Sequence, residues 1–201
     1  MTSDAQIVYT LGDNLYINLT NRCPCNCAFC IRKEGDTVGD SDRLWLSGDE
    51  PTAARVIELL KKRDLSRYRQ VVFCGYGEPT EALGVLLEVA DWLKAQGATV
   101  RINTNGLADL INGQPVAPLL EGRVDIVSVS LNEATPERYD EICQPCFEGA
   151  FEVLLKFAAD CKSHVPTVVL SVVDVIGEEE IERSRQIAES LGVGFRVRRA
   201  E

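Results

Sequence analysis

Short apolar, β-branched runs alternate with helix-like stretches along almost the whole chain, and this alternation limits the possible folds more than any other feature. The runs cover residues 15–19, 71–74, 99–103, 126–130, 167–173 and 194–197. Helical spacing is clearest over residues 52–62, 81–96, 147–161 and 178–191, with shorter helical turns expected at 115–121 and 136–141. Strands separated by helices cannot pair as tight hairpins, so they must lie parallel, with the helices as crossovers. In the second helix Leu83, Leu86, Leu87, Ala90 and Leu93 fall on one face, and Gly97 supplies a left-handed stop. Six such units predict an α/β fold, a partial (β/α)6 TIM-like barrel or, failing that, an open doubly wound sheet. Both architectures place their sites at the carboxyl ends of the strands.

With 201 residues there is length for one sizeable core, so a single domain over residues 1–201 is expected. The longest stretches without a charged residue, 110–120 and 163–173, run to 11 residues each, well short of the 20 or so a membrane helix needs. Residues 1–10 have neither the basic start nor the apolar run of a signal peptide, which predicts a cytoplasmic protein with reduced thiols. Eight cysteines in that compartment point to metal rather than disulfides. A net charge of -10 argues against nucleic acid as a partner, and the lone His164 excludes a multi-histidine metal site.

The unusual residues follow the strands. After the first run, Cys23, Cys25, Cys27 and Cys30 put four thiols in eight residues, a donor set for an iron-sulfur cluster or zinc. Zinc knuckles pair two distant C-x2-C units, whereas Cys23-x3-Cys27-x2-Cys30 offers three ligands from one loop, which would leave one iron of a four-iron cube open. After the second run, Cys74-Gly75-Tyr76-Gly77-Glu78-Pro79 combines close backbone approach with a carboxylate. Asn103-Thr104-Asn105-Gly106 follows the third run, and Ser128 to Asn132 closes the fourth. Any one of these is ordinary turn chemistry; four at the same end of successive strands make a site.

On these residues the sequence resembles the radical S-adenosylmethionine (SAM) superfamily: C-x3-C-x-aromatic-C after strand one, a Gly-Gly-Glu-like motif after strand two, and a partial barrel. Residues 18–30 look more narrowly like the small TatD family-associated radical SAM proteins, a likeness that implies no known substrate. The resemblance implies that Cys23, Cys27 and Cys30 hold a 4Fe-4S cluster and that Phe29 lies beside the adenine of SAM. It implies that Gly75, Gly77 and Glu78 meet the methionine amino group, with Tyr76 at a position usually held by glycine. Ser130 and Asn132 correspond to a ribose contact, Thr104 and Asn105 to a polar site facing cofactor or substrate, and residues 167–174 and 195–198 to the strands flanking adenine. The implied reaction is reductive cleavage of SAM to methionine and a 5'-deoxyadenosyl radical, which abstracts hydrogen from a small molecule, peptide or protein substrate. An external electron donor is implied as well. No catalytic side chain is singled out, and the absence of a histidine base suits hydrogen-atom abstraction.

Plainer readings apply elsewhere. Cys25 is off the motif's spacing and is expected to project away as a free thiol, and Cys74 to fill the core. Cys143, Cys146 and Cys161 could bind an auxiliary cluster, but with no C-terminal extension beyond them they read as ordinary thiols. His164 falls at the far end of the barrel. Residues 34–50 read as a long loop, and Arg22, Arg32, Lys33 and Arg43 among Glu34, Asp36, Asp40 and Asp42 as a solvated mixed-charge face. Two other functions use the same cysteines: an iron-sulfur electron carrier or cluster-binding module that does not cleave SAM, and a zinc-stabilised binding domain.

Overall fold

All six expected runs form strands, and they stand side by side in chain order within one sheet. The computed structural model describes residues 4–33 and 44–199. The parallel strands are β2 (Asn14–Ile17), β3 (Gln70–Phe73), β4 (Val100–Thr104), β5 (Ile126–Ser130), β6 (Thr167–Val173) and β7 (Gly194–Arg198). A further strand, β1 (Val8–Leu11), precedes them and pairs antiparallel with β2. It went unanticipated because four residues are too few to show a period. A tight turn at Gly12 (φ +56°) folds it back, and the short helix α1 (Asp4–Ile7) leads into it. Strands β1 and β7 are the two edges, so the barrel is open and partial.

The crossover helices are α2 (Ala53–Leu60), α3 (Leu83–Ala95), α4 (Ala108–Asn112), α5 (Pro136–Cys143), α6 (Ala150–Cys161) and α7 (Glu178–Leu191). Local chemistry explains their starts. Thr52 caps α2 by accepting from the backbone of Arg55, Thr135 caps α5 by accepting from Arg138 with Pro136 in the first turn, and three glutamates at residues 178–180 favour the positive end of α7. The expected turn at 115–121 is a 3-10 helix, Ala117–Leu120, and α4 was not foreseen. Residues 34–43 of the expected long loop, with Glu34, Asp36, Asp40, Asp42 and Arg43, lie outside the described residues.

Strand register gives the sheet two unlike faces, because side chains alternate and parallel neighbours share a face. Leu15, Ile17, Phe73, Ile102, Val129 and Leu170 face the helices and are fully or almost fully buried in the main core with Leu86, Leu93, Leu154 and Phe157. The other face carries Tyr16, Arg101, Asn103, Ser128, Ser130, Ser171, Arg196 and Arg198. A barrel interior would normally be filled by apolar side chains. Here it is polar and partly open. Among the described residues no helix is long and apolar enough to cross a membrane.

Candidate functional site

The cysteine loop leaves the end of β2 and is strapped down by a segment more than a hundred residues away. Asn26 N–H donates to the Cys143 carbonyl at 3.1 Å, Ala28 N–H to Ile142 at 2.8 Å, and Cys146 N–H to Pro24 at 2.9 Å. Cys25 and Pro145 form an antiparallel bridge between the two segments. Cys143-Gln144-Pro145-Cys146 is thus the floor of the cysteine loop. Gln144 makes the necessary turn at φ +45°, Cys146 is exposed, and Cys161 is buried in the core at the end of α6.

Cys23, Cys27 and Cys30 are half-buried. Hydrogen bonds from the Cys143 and Cys25 thiols draw the Cys27 pKa down to about 3 against the opposing effect of burial, and a hydrogen bond from the Cys25 thiol lowers that of Cys23. The partner thiols, Cys25 and Cys143, are pushed up by those same contacts and by burial. Cys25 therefore does not project away as its spacing suggested. The bridge to Pro145 fixes its backbone and turns its sulfur toward Cys23 and Cys27, with Asn105 Nδ2 at 3.7 Å. Arg32 is also no solvated loop charge: its Nε lies 3.2 Å from Cys30 Sγ, and its two Nη atoms hold the Asn21 and Cys25 carbonyls. Arg22 is tied to Glu50 and Glu81. Soft thiolate donors backed by thiol and guanidinium hydrogen bonds, with no oxygen ligand among them, fit an iron-sulfur cluster. Among the described residues no three Cys, His, Asp or Glu side chains are grouped to hold a single metal ion. A cube asks for one thiolate per corner rather than convergence on one ion.

The turn after β3 is pressed against this loop. A Cβ on Gly77 would lie 2.3 Å from the Thr20 carbonyl oxygen and 2.6 Å from that of Arg22, and one on Gly75 would lie 2.0 Å from Asn18 Oδ1. Asn18 cannot yield easily, since its Nδ2 donates to the Gln6 and Leu44 carbonyls. Tyr76 departs toward the other side, buried with Tyr9 and Leu44, which explains how a tyrosine is accommodated between the two glycines. Glu78 N–H donates to the Arg22 carbonyl at 2.8 Å. The Glu78 carboxylate is buried, and it accepts from Thr80 N–H and Oγ1, from Thr104 Oγ1 at 2.8 Å and from Asn105 N–H at 2.7 Å. Burial raises its pKa while those donors oppose the shift. Glu78 thus fastens the β4 turn, which carries Thr104 and Asn105, to the β3 turn.

Behind the two turns lies a cavity of about 160 Å3, open to solvent. Of the residues expected from the sequence, Gly77, Glu78, Thr104, Asn105 and Ser130 line it. Asn132 stands just outside, buried at φ +65°, with its Oδ1 accepting from Arg198 at 3.3 Å. Gly75 lies behind the turn against Asn18, and Phe29 is half-buried on the cysteine loop; neither lines the cavity. Cys74, expected in the core, faces the cavity, because it falls on the polar face of the sheet in phase with Val72 and Arg101. Asn103, Ser128, Ser171 and Arg198 complete the lining; all four fall within the segments expected at the site, although none had an individual role assigned. Their signal was present as polar residues at every second position of otherwise apolar strands. The His164 ring lies 2.9 Å from Glu121 Oε2, before β6 and outside the lining of this cavity.

The profile of the Radical SAM superfamily matches residues 17–189. Two curated relatives, both GTP 3',8-cyclases, are 29% identical: that of Lactiplantibacillus plantarum over 174 residues and that of Limosilactobacillus fermentum over 173, each match covering 86% of this chain and 48% of the relative. The chain thus spans about half the length of these relatives. Streptococcus suis SuiB bound to S-adenosylmethionine has the same fold, with a TM-score of 0.68 at 16% identity over 98% of this chain and 41% of that one.

Proposed function

The chain belongs to the radical SAM superfamily, and on that premise we propose that Cys23, Cys27 and Cys30 hold a 4Fe-4S cluster beside a SAM molecule seated in the polar cavity. The observation that carries this reading is a junction: Asn105, on the cavity wall, reaches Cys23 Sγ with its Nδ2 at 3.9 Å, while its backbone is held by Glu78. Cysteine loop and cavity are therefore one site. Given one electron by an external donor, a bound cluster and SAM would supply reductive cleavage of the sulfonium bond and hydrogen-atom abstraction from the substrate.

This chain's residues hold and enclose. The backbone at Gly77 approaches the loop without a Cβ, Thr104 and Asn105 offer polar groups beside the cysteines, and Ser130 and Asn132 offer hydroxyl and amide groups at the end of β5. The substrates of the cyclase relatives are not carried over to a chain of half their length. The TatD-associated likeness rests on the cysteine segment alone.

The test is anaerobic reconstitution, reduction and assay for 5'-deoxyadenosine. About four irons per chain and 5'-deoxyadenosine above a protein-free control are expected. A normal cluster spectrum without that product would leave the electron carrier as the better reading, and stoichiometric zinc in a colourless protein would leave the binding domain.

A further inference from the structure

The inner face of the sheet carries three arginines on two strands that are not neighbours. Arg101 belongs to β4, and Arg196 and Arg198 to β7, at the edge of the open barrel. Register puts them on the face that lines the cavity: Arg196 is level with Ser171 and Ser130, and Arg101 is two residues before Asn103. The three feel one another. Burial, and then the charges of Arg196 and Arg198, hold the Arg101 guanidinium below its usual range, and burial together with Arg196 does the same to Arg198.

In a chain with 31 acidic and 21 basic residues, such a group would be expected to collect carboxylates. Among the described residues it has collected none. Arg101 Nε donates to Asn103 Oδ1 at 2.8 Å, and Arg198 Nη2 to Asn132 Oδ1 at 3.3 Å and Ser130 Oγ at 3.5 Å, all neutral acceptors. Arg198 Nε is buried with no acceptor. The cavity's carboxylate, Glu78, is taken up by Thr80, Thr104 and Asn105. Like charges gathered in a partly desolvated space are unfavourable unless an anion joins them. Guanidinium forks match the oxygens of phosphate geometrically, and a single carboxylate would leave most of this charge uncompensated.

We propose that Arg101, Arg196 and Arg198 bind a phosphate or diphosphate group of the substrate inside the open barrel. The proposal rests on the reading of this cavity as the active site and adds the substrate's chemical class. The group would enter from the β7 edge, where Arg196 is exposed, and come to lie beneath Ser130 and Asn132.

Titration calorimetry of inorganic pyrophosphate into the reconstituted protein, without reductant and without SAM, tests it. One site per chain is expected. Arg196→Gln, at an exposed position that does not endanger the fold, should weaken binding roughly tenfold or more, as should Arg101→Gln. Arg123→Gln, whose guanidinium pairs with Asp91 on the helical layer, should leave the affinity unchanged. No pyrophosphate binding by the wild type, equal affinity in the Arg196 variant, or displacement of pyrophosphate by equimolar acetate would overturn the proposal. The assay does not depend on SAM cleavage. A protein that binds pyrophosphate through these arginines yet never forms 5'-deoxyadenosine would refute the radical reading and leave the anion site standing.

Discussion

Gly77→Ala is the most direct test of how the site is assembled. The new Cβ would stand 2.3 Å from the Thr20 carbonyl oxygen and 2.6 Å from that of Arg22, and ordinary contact begins near 3.4 Å. The turn and the cysteine loop must then separate by roughly 1 Å, since both obstructing atoms are backbone and neither can rotate away. Gly77 does not have a positive φ, so the substitution acts through space alone. Overpacking of this kind costs about 1–3 kcal/mol. The separation also strains the hydrogen bond from Glu78 N–H to the Arg22 carbonyl, now 2.8 Å, and a buried donor left unsatisfied costs about 1–3 kcal/mol. A combined loss of about 2–6 kcal/mol corresponds to a fall in Tm of roughly 4–24 °C for a chain of this size. A displacement of about 1 Å between parts that must meet lowers turnover on the order of a hundredfold. Differential scanning calorimetry and the rate of 5'-deoxyadenosine formation are the readouts. Gly84→Ala, where the added Cβ meets nothing within 4 Å and the site is helical, should be neutral or stabilising by up to about 1 kcal/mol. A Gly77→Ala protein that melts within about 2 °C of wild type and turns over normally would refute the idea that close approach at this glycine joins the two halves of the site.

The remaining expectations concern thiols and carboxylates. Alanine at Cys23, Cys27 or Cys30 should each abolish 5'-deoxyadenosine formation and most bound iron, whereas Cys25→Ala, at a buried thiol off the motif's spacing, should keep the iron; equal loss of iron in Cys25→Ala would assign that thiol to the cluster. Glu78→Ala removes the acceptor of Thr80, Thr104 and Asn105 and should lower stability by about 2–5 kcal/mol, measured by urea unfolding; an unchanged midpoint would show that those donors find other partners. The Glu50 carboxyl is held below its usual value first by its hydrogen bond with Arg22, which outweighs the opposing effect of burial, with Thr20 and the Arg22 charge adding to it. A depressed carboxyl pKa stabilises the fold above the unfolded value of about 4.3 and loses that contribution as the pH falls through the folded value. The Tm difference between wild type and Glu50→Gln should therefore be largest above the unfolded value of about 4.3 and fade as the pH falls below it; a difference that persists in acid would place the effect elsewhere.

Residues close along the chain made much of this protein legible in its sequence. Strand β6 spans its expected residues because six of its seven positions are β-branched or apolar and leave little else for them to form, and α7 does so between a glycine at each end. The three-cysteine spacing, the Gly-Tyr-Gly-Glu turn and the polar ends of β4 and β5 are likewise local, and the strand count is enough to place them at one end of a sheet. Long-range pairing decided the rest. Cys25 looked idle until Pro145 paired with it, Arg32 looked solvated until Cys30 stood 3.2 Å from its Nε, and Cys143 read as an ordinary thiol until its carbonyl was found to hold the Asn26 amide of the cysteine loop. Arg101 and Arg196 are 95 residues apart and share the inner face of the sheet only because six parallel strands lie in register. Spacing along a chain fixes which side chains one loop can present. Which distant charges meet inside a barrel depends on strand order and shear, and those are set by packing the whole core at once.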